Sequence, residues 1–371
     1  MERQIERKRT NQNRAGWHLF VLLFLTVLVA GCSSRNMSFD LLQTSQGFQQ
    51  SSAQINNKID MLWVVDNSGS MDPLQQNLVS NFNQFIVNFQ AKGFDYKMAV
   101  TTTDAYLAAV NYQNNIALAK VRDGAGMTHS GYFYITSLIP DIVKNFVLNA
   151  TQGSQGSGDE RAFQSLFETL NSSLNGDFLR PGAFKAIVIL SDEDDFTDAM
   201  RPEYSWNKGG IVDHDYQNPN LISVDQVIVN LDRLTGSTAT QKNYNVSTIA
   251  VLDDACQAQH VKQSSVSIIG KRYMELAQKT NGILGSICDA SYASSLNFIQ
   301  QRILELSTKF VLNRKPNVSS IHISVDRQSV LNDAANGWTF EASSNSIIFH
   351  GTAVPAASSQ IDVSFLPAEL F

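Results

Sequence analysis

Motifs that carry catalytic chemistry are scarce in this chain of 371 residues, which has three cysteines and six histidines. No Cys-x-x-Cys pair and no His-Glu-x-x-His occur, and no cysteine lies near clustered histidines. Zinc binding and thiol redox catalysis therefore lack support. Gly-x-Ser-x-Gly and the phosphate-binding glycine loop are also absent, so neither a nucleophile elbow nor a nucleotide cradle is expected. An excess of positive charge is missing too: 28 Lys and Arg face 34 Asp and Glu, a net charge of -6. Residues 1–31 hold five of the bases and two of the acids, and without them the net charge is -9. Phosphate binding needs basic surface, so nucleic acid is not expected as a partner.

What is present is an ordinary globular composition, 43% hydrophobic and 17% charged, long enough for two domains or one large domain with an appendage. The amino terminus reads as an export signal. Basic residues (Arg3, Arg7, Lys8, Arg9, Arg14) precede an apolar stretch from Trp17 to Leu28, interrupted by His18 and Thr26 and short for a spanning helix. It ends in Val29-Ala30-Gly31-Cys32-Ser33-Ser34, which resembles the bacterial lipobox. That resemblance implies cleavage after residue 31 and lipid attachment at Cys32, with Ser33 similar to lipoproteins sorted to the outer membrane. The alternative is a plain signal peptide followed by a chance cysteine. Several acyl chains would hold the protein to a membrane. Residues 32–57, rich in Ser, Gln and Asn, are expected to form a flexible tether. In an oxidising compartment Cys256 and Cys288 form a disulfide by default, two free thiols being the alternative.

From Lys58 strands and helices alternate. Ile59–Val65, Asp95–Thr103, Ala186–Leu190, Tyr244–Leu252 and Ile283–Ile287 read as strands. Apolar residues at helical spacing mark 74–89, 142–148, 163–174, 224–231, 272–279 and 296–310. The expected fold class is α/β, a doubly wound, mainly parallel sheet with helices on both faces. Residues 104–137 and 196–222 read as insertions, the first with an edge strand near 132–135. After Leu312 the helical period stops and short alternating strands follow, so 312–371 is expected to be a small β-rich module that packs on the main domain.

One stretch organises the rest: Met61-Leu62-Trp63-Val64-Val65-Asp66-Asn67-Ser68-Gly69-Ser70-Met71. A buried strand ends on Asp66, and Ser68 and Ser70 follow at alternate positions. Ligands of open α/β sheets bind beyond the carboxyl ends of strands. A carboxylate with two hydroxyls there suits a hard divalent cation, Mg2+ first, with Mn2+ or Ca2+ possible. A second apolar strand ends on Ser191-Asp192. Together these features resemble the von Willebrand factor type A domain over about residues 57–310. The resemblance implies a metal-ion-dependent adhesion site in which Asp66, Ser68 and Ser70 form the first loop and Asp192 the third. For the second loop the family supplies a threonine, and this chain has Gly156-Ser157-Gly158-Asp159-Glu160. Ser157 is the first choice there, with Asp159 as an alternative ligand.

A site short of negative charge can accept a carboxylate from a partner. The leading expectation is thus a surface-anchored, non-enzymatic lipoprotein of the outer membrane of a Gram-negative bacterium, which binds a protein ligand through the metal. One alternative is a structural component of an envelope complex with a vestigial metal site. Another is a metal-assisted hydrolase using Asp192, Glu193, Asp194 and Asp195, of which Asp194 and Asp195 read as solvated or capping. Asp213-His214-Asp215 is a further, weaker cation candidate.

Overall fold

A computed structural model of the chain describes residues 48–54, 57–109, 115–199, 214–264 and 266–368. The export signal, Cys32, the tether up to residue 47 and residues 200–213 of the second insertion lie outside the described residues. Among the described residues no helix is long and apolar enough to cross a membrane.

The first element, β1 (Phe48–Gln54), precedes the central strand β2 (Lys58–Val65). Next come β3 (Asp95–Thr102), a small hairpin of β4 (Gly124–Ala125) and β5 (Thr128–His129), and β6 (Ile135–Thr136). β7 (Phe184–Leu190), β8 (Tyr244–Ala250) and β9 (Leu284–Ser286) complete a six-stranded sheet in the order β6-β3-β2-β7-β8-β9. All pairs in it are parallel except β3 with β6. The edge strand expected near 132–135 is the two-residue β6 at its end. The fold is therefore mixed α/β with a mainly parallel sheet. The chain runs from β2 outward to β3, then returns to β7 on the other side. The carboxyl ends of β2 and β7 thus flank the point where strand order reverses, the usual place for a ligand crevice.

Helices cover both faces. On one lie α1 (Asp72–Lys92), α2 (Ile142–Ala150) and, late in the chain, α7 (Ala293–Ser307). Ile59, Met61, Trp63 and Val65 of β2 point to this side and pack with Phe82, Phe85, Phe146, Leu296 and Ile299. Trp63 meets Phe85 and Phe146 edge-on, with ring centroids 5.3 and 5.4 Å away. On the other face, Leu62 and Val64 pack with α3 (Ala162–Asn171), α4 (Val224–Thr235) and α6 (Lys271–Lys279). The period of two along β2 thus feeds two cores, which is why the strand reads as a continuous apolar run. α1 stops at Gly93, whose φ of 70° closes the helix in the left-handed conformation. α4 starts with a capping box of Ser223 and Gln226. A short helix, α5 (Asp254–His260), carries only two buried residues, Cys256 and His260, and no apolar period announced it.

The carboxyl-terminal strands are β10 (Phe310–Val311), β11 (His322–Val325), β12 (Gln328–Val330), β13 (Trp338–Glu341), β14 (Ser346–Phe349) and β15 (Gln360–Phe365). They form two antiparallel sheets, β1-β15-β11-β12 and β10-β14-β13. The expectation of a tether running to residue 57 is corrected here: Phe48 to Gln54 pair with β15, Phe48 opposite Phe365. So short a β region buries little core by itself. It gains a strand from the amino-terminal side and shares one apolar cluster with α1 and α7 through Ile323, Trp338, Ile347 and Phe349. Lys92 Nζ at the end of α1 donates to Val354 O at 2.5 Å, and Lys309 pairs with Glu341.

Candidate functional site

The site is assembled by the loops that leave β2, β3 and β7, with a fourth segment just before α3. Parallel pairing holds Val65 opposite Leu190. The amide of Asp66 donates to Leu190 O at 2.9 Å, so Asp66 and Ser191 emerge side by side. Ser191 Oγ donates to Asp66 Oδ2 at 2.7 Å, and the Ser68 amide donates to Asp66 Oδ1 at 2.8 Å. The second bond bends the chain back on itself and brings the Ser68 and Ser70 hydroxyls within 3.4 Å of each other. Asp66 is fully buried and Ser68 nearly so, whereas Gly69 is exposed and Ser70 half-buried. The first loop therefore has a sealed carboxylate below and a solvent-facing hydroxyl above.

Gln75, one turn into α1, ties this loop to the next. Its Nε2 donates to Asp66 O and Gly153 O at 2.8 and 2.9 Å, and its Oε1 accepts from the Gln152 and Gly153 amides at 2.9 and 3.1 Å. Gly156 approaches so closely that its amide donates to Asn67 O at 2.7 Å. A Cβ added at Gly156 would lie 2.5 Å from the Asn67 side chain, which requires glycine there. Asp104, just past β3, accepts from the Ser157 amide at 3.0 Å and from Asn67 Nδ2 at 3.1 Å.

Of the second-loop candidates, Ser157 lies beside the first loop, half-buried. Its hydroxyl accepts from the Asp159 amide at 3.0 Å and lies 3.4 Å from the Tyr106 hydroxyl. Asp159 is committed elsewhere: it forms a buried ion pair with Arg161 at 2.7 Å, so its charge is already compensated. The residue that sequence reasoning missed is Glu160. It is fully buried, and neither of its carboxylate oxygens has a hydrogen-bond partner of good geometry among the described residues. Its carboxyl is held well above the usual range, first by burial and then by the charges of Asp66, Glu193 and Asp104, with Thr103 offsetting this in part. In the sequence only its place in the segment 156–160 marks it, because the resemblance calls for a hydroxyl there.

On the third loop, Asp192 is fully buried. Its Oδ2 lies 2.7 Å from His260 Nε2, while Oδ1 has no partner among the described residues. His260 closes α5, and the disulfide from Cys256 to Cys288 fastens that helix to the segment after β9. Asp194 and Asp195 are buried, which corrects the expectation that they are solvated. Their capping role is present: Asp194 accepts from the Arg272 amide at the start of α6, and Asp195 accepts from the Phe163 amide at the start of α3, at 2.8 Å. Burial pushes the Asp194 carboxyl up to about 6, against hydrogen bonds from Arg272 and Tyr216. In the Asp213-His214-Asp215 stretch, Asp213 lies outside the described residues, His214 sits 3.3 Å from Glu193, and Asp215 accepts from the Gln217 amide.

The electrostatics follow from this packing. Burial, then the charge of Asp192, raise the Asp66 carboxyl well above its ordinary value, against the hydrogen bonds from Ser191 and Ser68. Several carboxylates share a dry volume: among the described residues Asp159 pairs with Arg161 and Asp195 with Arg272, whereas no guanidinium pairs with Asp66, Asp192 or Glu160. Such a group must either take up protons or gain a cation. Oxygen ligands, two of them hydroxyls, suit Mg2+ or Ca2+ rather than a softer metal. Among the described residues no three His, Cys, Asp or Glu side chains converge tightly enough to hold an ion by themselves. A cation here would therefore draw on Ser68 and Ser70 beside Asp66 and Asp192, and on water.

No protein-family model matches the chain, and no curated protein matches it. Among solved structures the chain is similar to the pilus adhesin SpaC from Lactobacillus rhamnosus GG in its open conformation, with 12% identity and a TM-score of 0.37 over 85% of this chain and 39% of that one. It is also similar to proximal thread matrix protein 1 from the mussel byssus, at 10% identity and a TM-score of 0.36 over 72% of this chain and 52% of that one. For the pilus adhesin RrgA from Streptococcus pneumoniae the values are 8% and 0.29, over 86% of this chain and 58% of that one. The chain thus spans between 39% and 58% of the length of these structures. At such scores the likeness decides nothing about the site, which rests on its own geometry.

Proposed function

We propose that this chain is a von Willebrand factor type A protein, anchored by a lipid at Cys32 to an outer membrane, that binds a protein ligand through a divalent cation. Asp66, Ser68, Ser70 and Asp192 hold the ion, Mg2+ in the first instance with Mn2+ or Ca2+ as alternatives, and Ser157 stands at its rim. The bound ion supplies an electrophilic position that accepts an oxygen from the partner, a carboxylate being the group the sequence favours. The chain's own residues do the positioning. Ser191 and the Ser68 amide fix Asp66, His260 fixes Asp192, and Gln75 holds the first two loops in register. The observation that carries this reading is a pair of buried acids, Asp66 and Asp192, beside two hydroxyls at the reversal point of the sheet, with Asp192 Oδ1 unpartnered among the described residues.

The hydrolase reading finds less support, because Asp194 and Asp195 are engaged in caps. The decisive experiment is a crosslinking pull-down of the intact protein from membranes, run with Mg2+, with chelator, and with Asp66→Ala. Partners captured only by the wild type in Mg2+ support metal-dependent binding. The same partners under all three conditions would instead make the protein a structural component whose metal loop is incidental.

A further inference from the structure

Glu160 is the acid for which the rest of the molecule gives no account. Among the described residues it caps no helix, unlike Asp194 and Asp195, and pairs with no guanidinium, unlike Asp159. Its backbone is fixed from the third-loop side, since the Phe196 amide donates to Glu160 O at 2.9 Å. Its side chain is fully buried, and among the described residues neither oxygen has a hydrogen bond of good geometry, Thr103 offsetting its burial only in part; Asp192 Oδ1 is a second buried oxygen without such a bond. An unpaired buried carboxylate is expensive unless something positive arrives. The segment before α3 that contributes Glu160 is also the one hydrogen-bonded to the first loop through Gly156 and Asn67.

We infer that Glu160 is the second-loop acid of the cation site, adding a third carboxylate to Asp66 and Asp192 where the family pattern has a neutral hydroxyl. This rests on the metal reading given above. Since no three acids converge tightly among the described residues, one member of the trio would act through water, as Mg2+ sites commonly arrange. Three carboxylates carry more negative charge than a divalent ion neutralises, so the chain balances the ion without a carboxylate from a partner. The cation is then retained without a partner, and the partner adds contact to a site that is already loaded.

The test is calorimetry and thermal melting of the purified full chain in detergent, with MgCl2, CaCl2 or MnCl2 and with EDTA. Wild type, Glu160→Gln and Asp66→Ala are compared. One equivalent of metal is expected to bind the wild type without any partner. Glu160→Gln is expected to weaken binding by about tenfold or more, as loss of an acid acting on a metal through water does. It should also melt at or above the wild-type temperature in EDTA, because an unpaired buried charge has gone. Equal affinity in wild type and Glu160→Gln, with Asp66→Ala inactive, would overturn the role of Glu160 and leave the metal site standing. Weakened binding with a lower melting temperature in EDTA would make Glu160 a structural residue and would likewise overturn the proposal. No binding by the wild type would remove the metal reading itself.

Discussion

The two ends of β2 each bury an aspartate, and the chain treats them in opposite ways. Asp60, near the amino end, is 1% exposed, and Asp66, past the carboxyl end, is 0% exposed. Burial raises the pKa of both. Asp60 meets Arg180 twice, through Nε and the backbone amide, each at 2.7 Å, and Arg180 also bonds Asp95 at 2.6 Å. Lys185 adds a second positive charge nearby. Asp66 has only hydroxyl and amide donors, while Asp192, Glu160 and Glu193 raise the negative potential around it. One pole is thus neutralised by Arg180 and Lys185, whereas among the described residues no guanidinium or ammonium pairs with Asp66. On the metal reading proposed above, this asymmetry separates a buried acid that holds the fold together from one that takes a cation.

The comparison can be broken most strongly at its paired end. Arg180→Ala leaves Asp60 buried without its cation and should cost about 3 kcal/mol, the lower end of the range for a broken buried pair because Arg180 is partly exposed. Urea unfolding measures this, and the response to Mg2+ should be unchanged. A cost under about 1 kcal/mol would place this pair with ordinary surface ion pairs.

A similar loss, about 3 kcal/mol, is expected when Cys256 and Cys288 are both changed to serine, since they close a long loop. Here the metal response should also weaken, because α5 carries both Cys256 and His260, and His260 bonds Asp192. An unaltered metal affinity would show that α5 holds its position without the covalent tie.

Gly156→Ala probes the seam between the first two loops. Its added methyl meets Asn67 at 2.5 Å, and overpacking of this kind costs about 1 to 3 kcal/mol. Calorimetry should show a matching drop in Mg2+ affinity, and a full retention of affinity would mean the seam can slide.

The smallest effect has the opposite sign. In EDTA, Asp66→Asn should stabilise the protein by about 1 kcal/mol: it keeps the shape, its Oδ1 still accepts from the Ser68 amide, its Nδ2 donates to Ser191 Oγ once that hydroxyl turns to Glu193 O, and a buried charge is removed. The variant should then gain nothing from Mg2+. Destabilisation in EDTA would place Asp66 in the same class as Asp60.

Much of this was legible in the sequence because burial leaves a direct mark there. Strands covered on both faces, β2 and β7, read as unbroken apolar runs that end abruptly on Asp66 and on Ser191-Asp192. Other parts were set by tertiary contacts with no local trace. β1 is the polar segment Phe48-Gln49-Gln50-Ser51-Ser52-Ala53-Gln54, and its strand character comes from pairing with β15 at the far end of the chain. α5 carries no apolar stripe, and its place depends on a disulfide and one histidine. Glu160 looks in sequence like any exposed acid in a Gly/Ser loop. Its burial is a tertiary feature, and the third loop is tied to its backbone where the Phe196 amide donates to Glu160 O at 2.9 Å.

Anomalous scattering from crystals of the protein grown with MnCl2 would locate the cation itself. The account predicts a manganese peak bounded by the oxygens of Asp66, Ser68, Ser70 and Asp192, absent from crystals of Asp66→Asn. A manganese peak elsewhere, or none at this pole in well-diffracting crystals, would contradict it.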